Sequence, residues 1–200
     1  MSRKEDILYA ALELSSQYGS KAVSLSQIAD KVGIRKPSLY NHFRSKDELM
    51  SAMYLFLREQ AHKSASRSMP ESGAELFEGR SLAEILMMSF ERYSSFIADK
   101  NMLSFFRVLY SERASSPAAA QIMLDETESM INSVKTLFYA LVVHGKMKNE
   151  NVDTAAVSYA MTIHSLIDRE MDKVTAGKGT DGIPQDIRDY IQWFAKVMEA

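Results

Sequence analysis

The stretch Ser24-Leu25-Ser26-Gln27-Ile28-Ala29-Asp30-Lys31-Val32-Gly33-Ile34-Arg35-Lys36-Pro37-Ser38-Leu39-Tyr40-Asn41-His42-Phe43-Arg44-Ser45-Lys46-Asp47-Glu48-Leu49 decides how this chain folds. Ser24 and Gln27 have the spacing of a capping box, in which two side chains satisfy each other's free amides at a helix start. The helix so begun ends near Val32-Gly33, because glycine tolerates the positive φ of a helix exit. Pro37 fits the first turn of a second helix, where its missing N–H costs little. Two short helices crossing through a tight turn need a small residue at the crossing, and Ala29 supplies it. Ile28, Val32, Ile34 and Leu39 are spaced to pin the pair to a core. These requirements coincide, and they predict a helix-turn-helix. An αα-hairpin that merely packs does not explain why the second helix is so short. Nor does it explain why that helix exposes Lys36, Ser38, Tyr40, Asn41 and His42.

Charge supports the same stretch. The 200 residues carry a net charge of -2, so the overall balance points to no partner. Its distribution is uneven: residues 1–62 hold nine Lys and Arg against seven Asp and Glu, and the remainder is acidic. Lys31, Arg35, Lys36, Arg44 and Lys46 follow one another with no acid between them. Such a patch is the electrostatic footprint of a phosphate backbone, although charge alone fits a solvated face as well. The second helix is free to present Lys36, Pro37, Ser38, Tyr40 and Asn41 to a major groove.

Outward from this stretch the chain reads as all-α, with about nine helices and no period-two strand. Ile7, Leu8, Ala11, Leu14 and Tyr18 recur at helical spacing, with Ser2 and Glu5 as a capping box and Gly19 past the end. Ser45 with Glu48 opens a connecting helix over 46–63. Residues 64–81, rich in Ser, Gly and Glu, read as a linker, with an ordered stretch around Leu76-Phe77. Further helices are predicted over 81–99, 102–113, 117–143, from Asn151 or Asp153 to about 174, and from Pro184 to the end. The expected division is a helix-turn-helix domain over 1–46 and a larger helical domain over 47–200, whose last helices lie in 151–200; the resemblance described below implies DNA binding for the first, and regulation and dimerisation for the second, with 151–200 as the dimerisation helices.

Composition removes several function classes. Hydrophobic residues make up 46% and charged residues 25%, as in an ordinary globular protein. With no cysteine there is no disulfide, cysteine nucleophile or thiolate metal site. No apolar run is long enough to span a membrane, so no membrane partner is expected. Met1-Ser2-Arg3-Lys4-Glu5-Asp6 lacks the apolar stretch of a signal peptide, and a cytoplasmic location is the expectation. His42, His62, His144 and His164 show no ligand spacing, and no metal is expected. No convergent acid/base set suggests an enzyme. Gly177-Lys178-Gly179-Thr180-Asp181-Gly182 matches a dinucleotide fingerprint in letters only. A helix precedes it rather than a strand, so it reads as a flexible connector.

The run from Gly33 to Phe43, followed by Lys46 and Leu49, resembles the signature of the tetracycline-repressor (TetR) family; the match covers about residues 3–60. The resemblance implies three DNA-binding helices, a connecting helix, and a larger helical domain that binds a ligand and dimerises. Lys36, Ser38 and Asn41 are then placed to reach base edges, and Pro37 to pack on a thymine methyl. Tyr40 and His42 resemble the family's phosphate-contacting aromatics. Lys46, at a helix N-terminus, pairs with a phosphate. Ser24, Ser26 and Gln27 serve the other side of the groove, with Ser24 a cap first. Arg35 replaces the small polar residue common at this turn and adds a phosphate contact. The implied partner is double-stranded DNA carrying a palindromic operator, bound by a homodimer in a ligand-responsive and repressive manner. An interaction module without DNA binding is the rival reading, against which Lys36, Tyr40, His42 and Lys46 argue.

No cofactor is called for. The larger domain holds many Met and aromatic residues, which pack a plain core or line a deformable cavity. If a cavity, it draws on Phe90, Tyr93, Phe106, Tyr110, Phe138 and His164 and takes an unidentified small apolar or amphipathic effector. The segment Val152–Ile167 is too apolar for one buried stripe, which suggests contact on two sides. Val157, Met161, Ile167, Tyr190, Ile191 and Phe194 are the candidates for the dimer interface, in a four-helix bundle as the resemblance implies.

Overall fold

The computed structural model describes residues 2–67, 77–178 and 182–200. Among them are nine α-helices and no strand beyond one isolated bridge. They are α1 (Arg3–Tyr18), α2 (Leu25–Val32), α3 (Lys36–Tyr40), α4 (Lys46–Arg67), α5 (Leu82–Ile97), α6 (Lys100–Glu112), α7 (Pro117–Val143), α8 (Val152–Thr175) and α9 (Gln185–Met198). A 3₁₀ turn, Ser20–Ala22, joins α1 to α2. The connecting helix α4 runs to Arg67, past the expected end at 63. The expectation of a linker falls partly outside the described residues, as does half of the glycine-rich connector after α8.

Packing divides the chain into two compact units. The first is Met1–Met69 with Tyr93–Asp125; the second is Pro70–Arg92 with Glu126–Ala200. In the first, Ile7, Leu8 and Leu12 of α1, Ile28 of α2, Leu39 of α3 and Leu49, Met53 and Leu57 of α4 form one core with Met102, Phe105, Val108 and Leu109 of α6. α6 thus shares the core that holds the helix-turn-helix, packing against α1 and α4.

Local signals set the helix ends as the sequence predicts. Ser2 and Glu5 form a complete capping box at α1. At α4 the Ser45 hydroxyl accepts from the amide of Glu48 at 3.0 Å, while the Glu48 carboxylate accepts from the amide of Arg44 at 2.7 Å. The Asp99 carboxylate accepts the amides of Asn101 and Met102 and starts α6.

In the second unit, Leu82, Ile85, Leu86 and Phe90 of α5 pack with Phe138 and Leu141 of α7, Ala156, Tyr159 and Ile163 of α8, and Ile187, Ile191 and Phe194 of α9. Phe77 is buried and stacks on His144, with ring centroids 4.4 Å apart. The end of α9 is tied down by the amide of Lys148, which donates to the carbonyl of Met198 at 2.8 Å.

Candidate nucleic-acid interface

The site grows from the capping box at α2. Ser24 Oγ accepts from the amide of Gln27 at 3.2 Å, and Gln27 Oε1 accepts from the amide and hydroxyl of Ser24 at 2.8 and 2.9 Å. These two side chains are thus committed to the helix start first, and Ser26 is half-buried beside them. At the other end Gly33 adopts φ 72, ψ 34. Its amide donates to Asp30, and the amide of Ile34 donates to Ala29 at 3.0 Å, the paired bonds of a Schellman ending. Ala29 is fully buried at the crossing of the two helices.

The turn delivers α3 with Leu39 and, just beyond it, Phe43 buried in the core. Everything between and around them faces out: Arg35, Lys36, Pro37, Ser38, Tyr40, Asn41 and His42 are all exposed. This gives a short helix one anchored edge and a continuous free face. Lys4 Nζ lies 5.5 Å from the centre of the Phe43 ring and adds a cation at the edge of that face.

The basic patch is smaller than the letters suggest. Lys31 pairs with Glu13 at 2.9 Å, and that pairing holds the Glu13 carboxyl below its ordinary value. Lys46, expected on a phosphate, is half-buried and donates from Nζ to the carbonyl of Lys21 at 3.3 Å. Arg35, Lys36 and Arg44 are left with no acidic side-chain partner among the described residues. They are the cations that remain available to a polyanion.

The aromatic residues considered for an effector do not share one core. Phe106 and Tyr110 pack against the first core, with the Arg113 guanidinium 4.6 Å from the Tyr110 ring centre, and Tyr93 belongs to that same unit. Phe90 and Phe138 are buried in the second core, and His164 of the same unit lies 3.7 Å from Asp168. None of the six lines either described cleft. One, of about 260 Å³, is walled by Tyr9, Leu12, Glu13, Lys100, Asn101 and Ser104. The other, of about 320 Å³, is walled by Tyr139, Asn149, Asn151, Val152, Asp153 and Thr154. Tyr159 was not singled out by sequence. Its ring packs on Phe138, Tyr190 and Phe194, and its buried hydroxyl has no hydrogen-bond partner among the described residues. Burial raises its pKa strongly.

Two of the expected interface residues are corrected. Ile191 and Phe194, at 0% and 5% exposure, are core residues of the second unit. The helical repeat turns Val157 and Met161 outward, while Ile167 and Tyr190 are half-buried. Trp193 and Val197 are exposed on α9. Trp193 lies two residues from the buried Ile191, on another face of the helix.

Comparison with known proteins agrees with this geometry. Residues 7–53 match the profile of bacterial regulatory proteins of the TetR family, and residues 84–179 match the C-terminal domain of AefR-like transcriptional repressors. The chain belongs to the TetR family of bacterial regulatory proteins. It is similar to the nucleoid occlusion factor SlmA of Vibrio cholerae, with 29% identity over 46% of this chain and 47% of that one. The chain thus spans about half the length of such curated relatives. A TetR-family regulator of Mesorhizobium loti shares the fold over 99% of this chain and 97% of its own, with a TM-score of 0.73 at 19% identity. A regulator of Saccharomonospora viridis, solved in complex with choline, does so over 98% and 97%, with a TM-score of 0.69 at 20% identity. Among the described residues no helix is long and apolar enough to cross a membrane, and no three His, Asp or Glu side chains gather as a metal site would require.

Proposed function

We propose that this regulator is a repressor that binds a palindromic operator as a homodimer and leaves it when a small effector binds. The observation that carries the reading is the free face of α3, Arg35 to His42 around the single buried Leu39, with Arg35, Lys36 and Arg44 unpaired beside it. On it Lys36, Ser38 and Asn41 read bases, Pro37 meets a thymine methyl, and Arg35, Tyr40 and His42 hold phosphates. The amides at the start of α4 add a phosphate site that Lys46 flanks. Ser26, Ser24 and the side-chain Nε2 of Gln27 serve the opposite groove wall.

Two copies place their recognition helices in successive major grooves, about 34–36 Å apart or somewhat more. Val157, Met161, Trp193 and Val197, exposed on α8 and α9, support a second chain as the cover of that surface. The effector is small and apolar or amphipathic, and it acts in the cytoplasm, where the DNA is. Among the candidates, Phe90, Phe138 and His164 belong to the second unit, and the Tyr159 hydroxyl beside Phe138 supplies an unmet polar group for such a ligand. The choline held by the Saccharomonospora viridis neighbour supports a small effector in this fold. The likeness of residues 84–179 to AefR-like repressors supports repression. The effector's leverage equals its differential affinity for the bound and released states.

The test is selection from a randomised duplex library, with Lys36→Ala/Tyr40→Ala beside the natural chain. Enrichment of a palindrome by the natural chain and its loss in the variant is the expected result. A folded, dimeric chain that enriches nothing above salt-sensitive background refutes the operator reading.

A further inference from the structure

The turn that leads into the helix-turn-helix is gripped by a residue far along the chain. Ser20, the first residue of the 3₁₀ turn, is 5% exposed. Its hydroxyl donates to Oε1 of Glu112, 92 residues later and the last residue of α6. Local bonds carry this anchor forward: the amide of Val23 donates to the carbonyl of Ser20 at 3.3 Å, and Ser24, next in line, caps α2. Lys46 holds the same turn from another side through the Lys21 carbonyl. The helix that bears Glu112 is itself seated firmly, since Met102, Phe105, Val108 and Leu109 share a core with Ile28, Leu39 and Phe43.

Nothing in α6 alone explains a carboxylate at this position. The C-terminal end of a helix is the negative end of its dipole and favours cations. Glu112 also bears on Tyr54, whose ring packs against Phe105 and whose hydroxyl is pushed up to about 12, by burial first and by the Glu112 charge second. A charge that is unfavourable at the end of its own helix is matched, among the described residues, by the side-chain contact that holds Ser20.

We propose that Glu112 is a positioning residue for operator recognition: through Ser20 it sets where α2 starts, and so how α3 is presented to the groove. This rests on the operator reading above. The sign of the charge separates the idea from general electrostatics. Glu112→Ala removes a negative charge, which by itself tightens binding to any duplex. A positioning role requires the operator, and the operator alone, to be bound more weakly.

The experiment measures affinity at one salt concentration for the palindrome that the natural chain selects and for a scrambled duplex of equal length. Ser20→Ala and Glu112→Ala should each weaken operator binding about tenfold, the scale of one lost charge-assisted hydrogen bond. Binding to the scrambled duplex should stay equal or tighten. The double variant should be no weaker than either single one, because both remove the same contact. Glu112→Gln, which keeps the acceptor oxygen, should stay within about threefold of the natural chain. Circular dichroism checks folding, and Ser20→Ala, the loss of one oxygen atom, carries the test if Glu112→Ala does not fold. Operator affinity unchanged or raised in Ser20→Ala, or losses that add in the double variant, would overturn the proposal while leaving the operator reading intact. A natural chain that selects no palindrome would overturn both.

Discussion

The amide of Ile34 donates to the carbonyl of Ala29 at 3.0 Å, closing α2 and turning the chain toward α3 in the space of two residues. The bond requires Gly33 to sit in the left-handed region, at φ 72, where a Cβ would meet no neighbour but would still crowd its own backbone. Gly33→Ala should therefore destabilise the chain by about 1–2 kcal/mol, and Gly33→Asn by less, in chemical denaturation. Equal stability of all three would show that the turn relaxes into another form.

Lys36→Ala should leave stability within about 0.5 kcal/mol of the natural chain, since Lys36 is exposed. Leu39→Ala, three residues on and wholly buried, should cost about 2–5 kcal/mol. The salt dependence of operator affinity tells what Lys36 does. A phosphate contact lowers the slope of log affinity against log salt by about one, whereas a base contact leaves the slope and relaxes preference at one position.

Alkaline stability should depend on Tyr54. Its hydroxyl, at about 12 in the folded chain, ionises near 10 when unfolded. A raised folded value means the stabilisation is complete below the unfolded value and is lost as pH climbs through the folded one. Stability should thus fall between about pH 10 and 12, by up to about 3 kcal/mol from this residue. Tyr54→Phe should remove that share of the fall. An unchanged pH profile in the variant would place the alkaline transition elsewhere, for example at Tyr159, whose pKa burial also raises.

Trp193 is the one tryptophan of the chain and is 59% exposed within it. If α8 and α9 form the dimer surface, its fluorescence should shift to the red on dilution through dissociation. Met161→Glu, on the same pair of helices, should yield a monomer in sedimentation equilibrium with helix content retained. A dimer unaffected by Met161→Glu and a Trp193 spectrum unaffected by dilution would move the interface away from these helices.

What sequence could and could not show follows from the range of the forces involved. The capping boxes at Ser2 and Ser24, the Gly33 exit and Pro37 in the first turn of α3 act over two to five residues, so their letters alone place the helices that present the DNA-binding face. Spacing likewise set Leu39, which is buried, apart from Tyr40, which is exposed. The resemblance was a poorer guide on α9, where Ile191 and Phe194, candidates for the interface, lie in the core. An apolar residue is placed on the inner or outer face only by the neighbours that cover it.

Sequence by itself thus determined the helix-turn-helix, the all-helical class and the family, because all three are written in short-range signals. Tertiary structure decided which cations stay free for DNA, and what holds the recognition helix in place. Lys31 is neutralised by Glu13 and Lys46 is turned to Lys21, while Ser20 reaches Glu112 across 92 residues. Such pairings depend on how α1, α4 and α6 close around one core. No local pattern encodes them, because the partners meet only after the apolar faces between them have been buried.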